Sequence, residues 1–173
     1  MKAIFAVDEG YGFGKGNKLP WNLPQELDHF KNITTCGVLI MGHRTWCSVP
    51  QALLCRNRVC IIVSRTVKQA KHGALCVSSL EDAVRAASLY NAPSFLIGGC
   101  TILKEAFAKG IVDSACVSYV IGKHSADVYA YELVRLVEET MCVESVHTQD
   151  GFVVKEYVKP PSSLELSCET HNQ

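Results

Sequence analysis

Gly14-Lys15-Gly16-Asn17-Lys18-Leu19-Pro20-Trp21-Asn22-Leu23-Pro24-Gln25-Glu26-Leu27-Asp28-His29-Phe30-Lys31 is the stretch from which the rest of the chain can be read. Its glycines, with Gly10, Gly12 and Pro20, mark residues 9–23 as a mobile loop. Pro24 suits the first turn of a helix, where its missing N–H costs nothing. Over residues 25–35, Leu27, Phe30 and Thr34 recur at helical spacing. Glu26 has Phe30 at i+4 and Ile33 at i+7, so the acid shares a helix face with apolar side chains. A carboxyl against an apolar wall holds its proton more tightly. Such a group can bind a cationic or amidine-like heterocycle and help deliver a proton. A solvated helix glutamate is the plainer alternative, and spacing alone favours it.

Outward from this stretch the pattern is one of alternation. Residues 2–8 read as a buried strand, and further strands are expected at 38–41, 59–63, 74–77, 94–97 and 115–121. Helical patterns fall between them at 44–49, 80–89 and 101–108, with Ser78 or Ser79 placed to cap the second. Residues 141–147 and 152–158 alternate in and out around Asp150-Gly151, a hairpin signal. The expectation is a single-domain α/β fold over residues 1–159. It is a twisted, mostly parallel sheet with flanking helices and a C-terminal antiparallel hairpin. Residues 160–173 are polar and lack periodicity, which reads as a disordered tail.

Composition narrows the function. The 173 residues carry 17 Lys+Arg and 17 Asp+Glu, so there is no basic footprint for nucleic acid or an acidic membrane surface. No apolar run approaches the roughly 18 residues of a membrane span. The apolar start is too short, and too soon interrupted by Asp8, for a signal peptide. A cytoplasmic monomer acting on small molecules is expected. The nine cysteines show neither a CxxC pair nor a Cys/His zinc spacing, so no metal is expected. Cys60, Cys116 and Cys142 lie in apolar, strand-like runs and read as reduced core thiols.

Two more stretches point to a phosphate-bearing ligand. In Ile40-Met41-Gly42-His43-Arg44-Thr45-Trp46 a strand ends in Gly, and a basic, hydroxyl-bearing segment opens a helix. In Phe95-Leu96-Ile97-Gly98-Gly99-Cys100-Thr101-Ile102-Leu103 a strand runs through two glycines into a helix. Free N–H groups at such helix starts favour phosphate, and glycine lets it approach the backbone. Neither stretch is the G-x-G-x-x-G fingerprint of an ordinary dinucleotide-binding domain. Each alone is equally a helix cap or a tight turn.

In this order and spacing the three stretches resemble the dihydrofolate reductase family, through L-P-W-x-L-P-x-E-x-x-x-F-K, M-G-x-x-T-W and I-G-G, over roughly residues 1–159. The resemblance implies NADPH as cofactor, and dihydrofolate and antifolate-type molecules as ligands. It implies that Glu26 hydrogen-bonds the pterin and supports its protonation, with Trp21 positioning a water beside it. Leu27 and Phe30 would pack on the pterin and benzoyl rings. Ile4, Ala6 and Ile97 would line the pterin pocket, Val49 would add an apolar contact, and Ser118 would stand behind the acid. Leu19 would be a lid residue near the nicotinamide, with Phe13 and Ala6 also on the cofactor side. Gly42, Arg44, Thr45 and Thr101 would meet phosphates, and Ser64-Arg65 the 2′-phosphate. Gly98-Gly99 would be joined by a cis peptide, and Asp127 would pack on the lid. For the arginine that grips the glutamate tail, counting back from the 61–64 strand selects Arg58, and counting forward from Trp46 selects Arg56. Arg58 is preferred because Asn57 can take a left-handed turn position. Three departures stand out: Cys100 where Gly or Ser is usual and Leu103 where Tyr is usual, both of which the resemblance would place in contact with the cofactor, and Cys60 where Asn is usual. A fold-mate reducing a pyrimidine intermediate and a non-catalytic binder of NADPH or folate are the rival readings.

Overall fold

The computed structural model describes residues 1–161. The expected tail therefore lies, from residue 162 on, outside the described residues. The expected strands form one eight-stranded sheet. They are β1 (Lys2–Asp8), β3 (Val38–Gly42), β4 (Val59–Val63), β5 (Leu75–Val77), β6 (Ser94–Leu96), β7 (Ser114–Val120), β9 (Cys142–Gln149) and β10 (Phe152–Val158). Their spatial order is β5-β4-β3-β6-β1-β7-β10-β9. Neighbours from β5 to β7 run parallel, whereas β10 lies antiparallel to both β7 and β9. A second, two-stranded ribbon pairs β2 (Gly12–Gly14) with β8 (Val128–Tyr129).

Helices cover both faces because the parallel strands are apolar on both. One face of β1 turns Ala3, Phe5 and Val7 toward α4 (Leu80–Ala87), α5 (Cys100–Ala108) and α6 (Tyr131–Thr140). The other turns Ile4 and Ala6 into a cluster with Trp21, Trp46, Leu54, Phe30 and Ile33. Those come from the 9–23 loop, from α1 (Pro24–Ile33), and from α2 (His43–Ser48) and α3 (Gln51–Cys55). Ser79 caps α4 by accepting the Asp82 N–H at 3.1 Å, a bond worth about 1 kcal/mol.

Several expectations change. Residues 9–23 are not a bare loop: β2 lies within them and pairs with β8. Neither α3, β8 nor α6 was expected. The hairpin turns where it should, yet only β10 alternates between buried and half-buried. β9 is exposed along almost its whole length, because it is the sheet edge with no further strand beside it. Cys60 and Cys116 are buried free thiols, and burial pushes both up to about 12. Cys142 is exposed at the start of that edge strand and is not a core thiol.

Candidate active site

Parallel sheets leave their openings at the carboxyl ends of the strands, and there the three sequence stretches converge. β3 ends at Gly42, in register with Val63, so Ser64 and Arg65 follow directly beside it. The Gly42 N–H donates to the Gly98 carbonyl at 2.8 Å, and the Ile97 N–H to the Ile40 carbonyl at 3.0 Å. The Gly98-Gly99 peptide is cis, and Gly98 has φ +124, a conformation open to glycine. A Cβ built on Gly98 would stand 3.7 Å from Phe13 Cζ and 3.8 Å from Thr45 Oγ1; one on Gly99 would stand 3.5 Å from the same hydroxyl. Gly42, Thr45, Gly98, Gly99 and Phe13 are thus one patch.

That patch has the chemistry of an anion site. Gly42 and Gly99 begin α2 and α5 without a side-chain cap, so the first-turn N–H groups remain available to an acceptor. Arg44, Thr101 and Arg65 are exposed around it, and Ser64 is half-buried. Ser64 Oγ already accepts the Val67 N–H at 3.0 Å. A phosphorylated dinucleotide fits this donor set. Cys100 is half-buried at the start of α5. Leu103 differs from the expectation of direct cofactor contact. It is fully buried, with a methyl 3.9 Å from a Cβ on Gly98, so it backs the patch rather than facing it.

The acid lies across the sheet opening. Glu26 is only 7% exposed. Burial raises its pKa, and the Ser118 hydroxyl is a weaker opposing influence. Ser118 is level with Ala6 on the neighbouring strand, which fixes Glu26 over β1 and β7. Phe30, Ile33, Val49 and Ile97 are part-buried against the same cluster as Ile4, Ala6 and Trp21; Leu27 is half-buried on α1. The expected apolar wall around the acid is present, and the solvated-glutamate alternative is not what the fold builds. Trp21 Nε1 is buried without a hydrogen-bond partner among the described residues, so its N–H can serve a ligand or solvent atom.

The loop across this opening is held at several points. Gly16 N–H donates to Asp127 Oδ2 at 2.7 Å, and Asp127 N–H donates to the Gly14 carbonyl at 2.9 Å. Asn17 Nδ2 donates to the Arg44 carbonyl at 3.3 Å. Leu19, the expected lid residue, is 51% exposed and does not close on the patch. Sequence reasoning missed Asp8 and His124, which tie this loop down from below. An acid closing a buried strand just ahead of two glycines was the available signal.

Both candidate arginines border one open depression beyond the end of α1, with Lys31. Arg58 is the anchored one. Its Nε donates to the Thr34 carbonyl and hydroxyl at 3.1 Å, Nη1 to the Leu53 and Arg56 carbonyls at 3.1 Å, and Nη2 to the Lys31 carbonyl at 2.9 Å. With five N–H groups on a guanidinium, little more than one Nη2 N–H remains for a ligand. Asn57 has φ +57, the left-handed position expected of it.

A family model described as dihydrofolate reductase matches residues 1–150. A dihydrofolate reductase of Schistosoma mansoni is 29% identical over 175 residues, covering 90% of this chain and 92% of its own. The Sus scrofa dihydrofolate reductase is 32% identical over 127 residues, covering 63% of this chain and 67% of its own. A solved dihydrofolate reductase from Enterococcus faecalis, complexed with NADP(H) and RAB-propyl, superposes with a TM-score of 0.78 at 23% identity. It covers 92% of this chain and 96% of its own, a likeness in fold.

Proposed function

This chain belongs to the dihydrofolate reductase family, and from that premise we propose that it reduces 7,8-dihydrofolate to 5,6,7,8-tetrahydrofolate with NADPH, Glu26 anchoring the pterin and supporting its protonation. The observation that carries this reading is the buried Glu26 carboxyl with its raised pKa, set at the opening of the sheet beside Ile4, Ala6 and Phe30. A carboxyl in that setting can pair with the amidine-like edge of a pterin and return a proton as the ring is reduced.

The residues divide the work. When bound, NADPH supplies the hydride. Gly98, Gly99, Thr45 and Thr101 would hold its phosphates with backbone N–H groups and hydroxyls, with Gly42 leaving room for the ligand at the start of α2, and Ser64 and Arg65 would hold its 2′-phosphate. Leu27, Phe30, Val49 and Ile97 would exclude water from the pterin. Trp21 would fix a water through its unpartnered N–H, and Leu19 would fold inward over the nicotinamide side. Arg58 would meet the glutamate tail, since an arginine already fixed by carbonyls loses little freedom on binding.

The test is direct. Purified protein is mixed with NADPH and dihydrofolate, and loss of the reduced-nicotinamide absorbance is followed. Decay that needs both substrates and stops with a diaminopyrimidine antifolate is the expected result. Tight binding of both ligands without decay would replace the enzyme reading with that of a binding protein.

A further inference from the structure

Asp8 is 2% exposed and ends β1, two residues beyond Ala6. Its Oδ1 accepts the Gly10 N–H at 2.8 Å and the Gly12 N–H at 2.7 Å. Its Oδ2 accepts the His124 backbone N–H at 2.6 Å. The His124 ring Nδ1 lies 3.5 Å from the same oxygen and is buried with no hydrogen-bond partner among the described residues. That ring meets Trp21 edge-on, with centroids 5.9 Å apart. Gly12 is needed for the approach: a Cβ there would come within 2.9 Å of Asp8 Oδ2 and 3.0 Å of the Ala126 side chain.

None of these bonds secures a core element. β1 is already paired with β6 and β7 without them. All three backbone donors lie outside the eight-stranded sheet: Gly10 in the turn after β1, Gly12 at the start of the short β2, and His124 in the 121–127 turn opposite. One carboxylate therefore joins the root of the loop, the facing turn and, through His124, the ring of Trp21. Burial alone would push the Asp8 carboxyl up, but the His124, Gly12 and Gly10 N–H groups outweigh it and hold the acid ionised. Charge-assisted bonds of this kind are roughly twice as strong as neutral ones.

We propose that Asp8 is a positioning residue for hydride transfer, whose carboxylate sets the 9–23 loop and, with His124 as relay, the Trp21 ring beside Glu26. The inference rests on the reductase reading above. Asp8→Asn separates the two halves of the clamp. The amide oxygen can still accept from Gly10 and Gly12, but its NH2 then faces the His124 N–H, donor against donor. His124→Gln keeps the backbone donor and removes only the ring.

Single-turnover hydride transfer, steady-state kcat and KM, and exchange of the His124 amide proton are measured on wild type and both variants. Small misplacements near reacting atoms cost up to about 100-fold. Asp8→Asn is expected to slow hydride transfer by about 10-fold or more, with KM for dihydrofolate near wild type and faster His124 amide exchange. His124→Gln is expected to lose about threefold in the same step. Folded variants with lowered Tm but wild-type hydride transfer would overturn the proposal and leave Asp8 a stabiliser only. Should Asp8→Asn fail to fold, unchanged hydride transfer in His124→Gln overturns it as well. A wild type that turns over no dihydrofolate refutes the reductase reading instead, a result the variants do not mimic.

Discussion

The two sides of the candidate site are built from different material. Around Glu26 the chain uses side chains: a buried acid, the Trp21 indole, and apolar groups from β1 and α1. Around Gly98 it uses backbone: two glycines, a third at Gly42, and helix starts with no side-chain cap. A side-chain site fails when one functional group is changed and the fold is kept. A backbone site fails when a Cβ is added, whatever group it carries. The largest expected effects therefore come from opposite kinds of substitution on the two sides.

Glu26→Gln keeps the shape and removes the ionisable group. Turnover near neutral pH is expected to fall by about 100- to 10,000-fold, the usual span of acid–base catalysis. Wild-type turnover in this variant would take the acid out of the mechanism. The pH dependence has a defined sign. Burial raises the Glu26 pKa, so the protonated form persists above the ordinary carboxyl range. If it supports proton delivery, kcat declines as pH rises through that raised value. Stability runs the same way: the folded chain binds the proton more tightly than the unfolded chain, so Glu26 costs stability once pH passes the unfolded value. Glu26→Gln should melt higher than wild type at neutral pH and lose that advantage below the ordinary carboxyl range, as a calorimetric series across pH would show.

Gly98→Ala tests the other side. At φ +124 an alanine is strained by about 1–3 kcal/mol. The expected cost is roughly 10- to 100-fold in NADPH affinity or an equivalent loss of Tm, with dihydrofolate binding retained. Titration of each ligand separately checks it. Equal loss for both ligands would mean that the two sides are not independent. Between the extremes lies the arginine pair. Arg58→Lys cannot reproduce the fork that spans Thr34, Leu53 and Lys31, so KM for dihydrofolate should rise about 10-fold with kcat little changed. Arg56→Gln, on an exposed side chain, should leave KM near wild type. The reverse ranking would transfer the tail contact to Arg56.

The same contrast explains what was legible in the sequence. Strands with continuous apolar runs were readable, and so were Pro24 at the start of α1 and the Asp150-Gly151 hairpin, because the signals are local. α6 was not, since the meaning of its apolar positions depends on a face of the sheet assembled from distant strands. β2 and β8 were hidden because three- and two-residue strands carry no period. Spacing alone left Glu26 a surface acid; its burial follows from tertiary packing over Ala6 and Ser118. Leu103 could be placed on the helix after Gly98-Gly99, but which way it pointed was set by the packing of α5. Asp8 was overlooked because its partners are backbone N–H groups, which every residue type but proline supplies.

Asn57 is where the two building styles meet, since a backbone conformation there presents an arginine. Its φ of +57 suits asparagine better than most residues with a Cβ. Asn57→Ala should destabilise the protein by about 1 kcal/mol, a fall of roughly 2–4 °C in Tm for a chain of this size. Asn57→Gly relieves the strain but gives the unfolded chain more freedom, so the two effects nearly cancel. If the turn does no more than present Arg58, the glycine variant will bind dihydrofolate as wild type does. The alanine variant will then show a raised KM only to the extent that the Arg58 N–H bonds to Thr34 and Lys31 are lost. A KM that rises in the glycine variant, with those bonds intact, would mean that the asparagine side chain itself touches the ligand, and the depression beyond α1 would then recognise its occupant by more than charge.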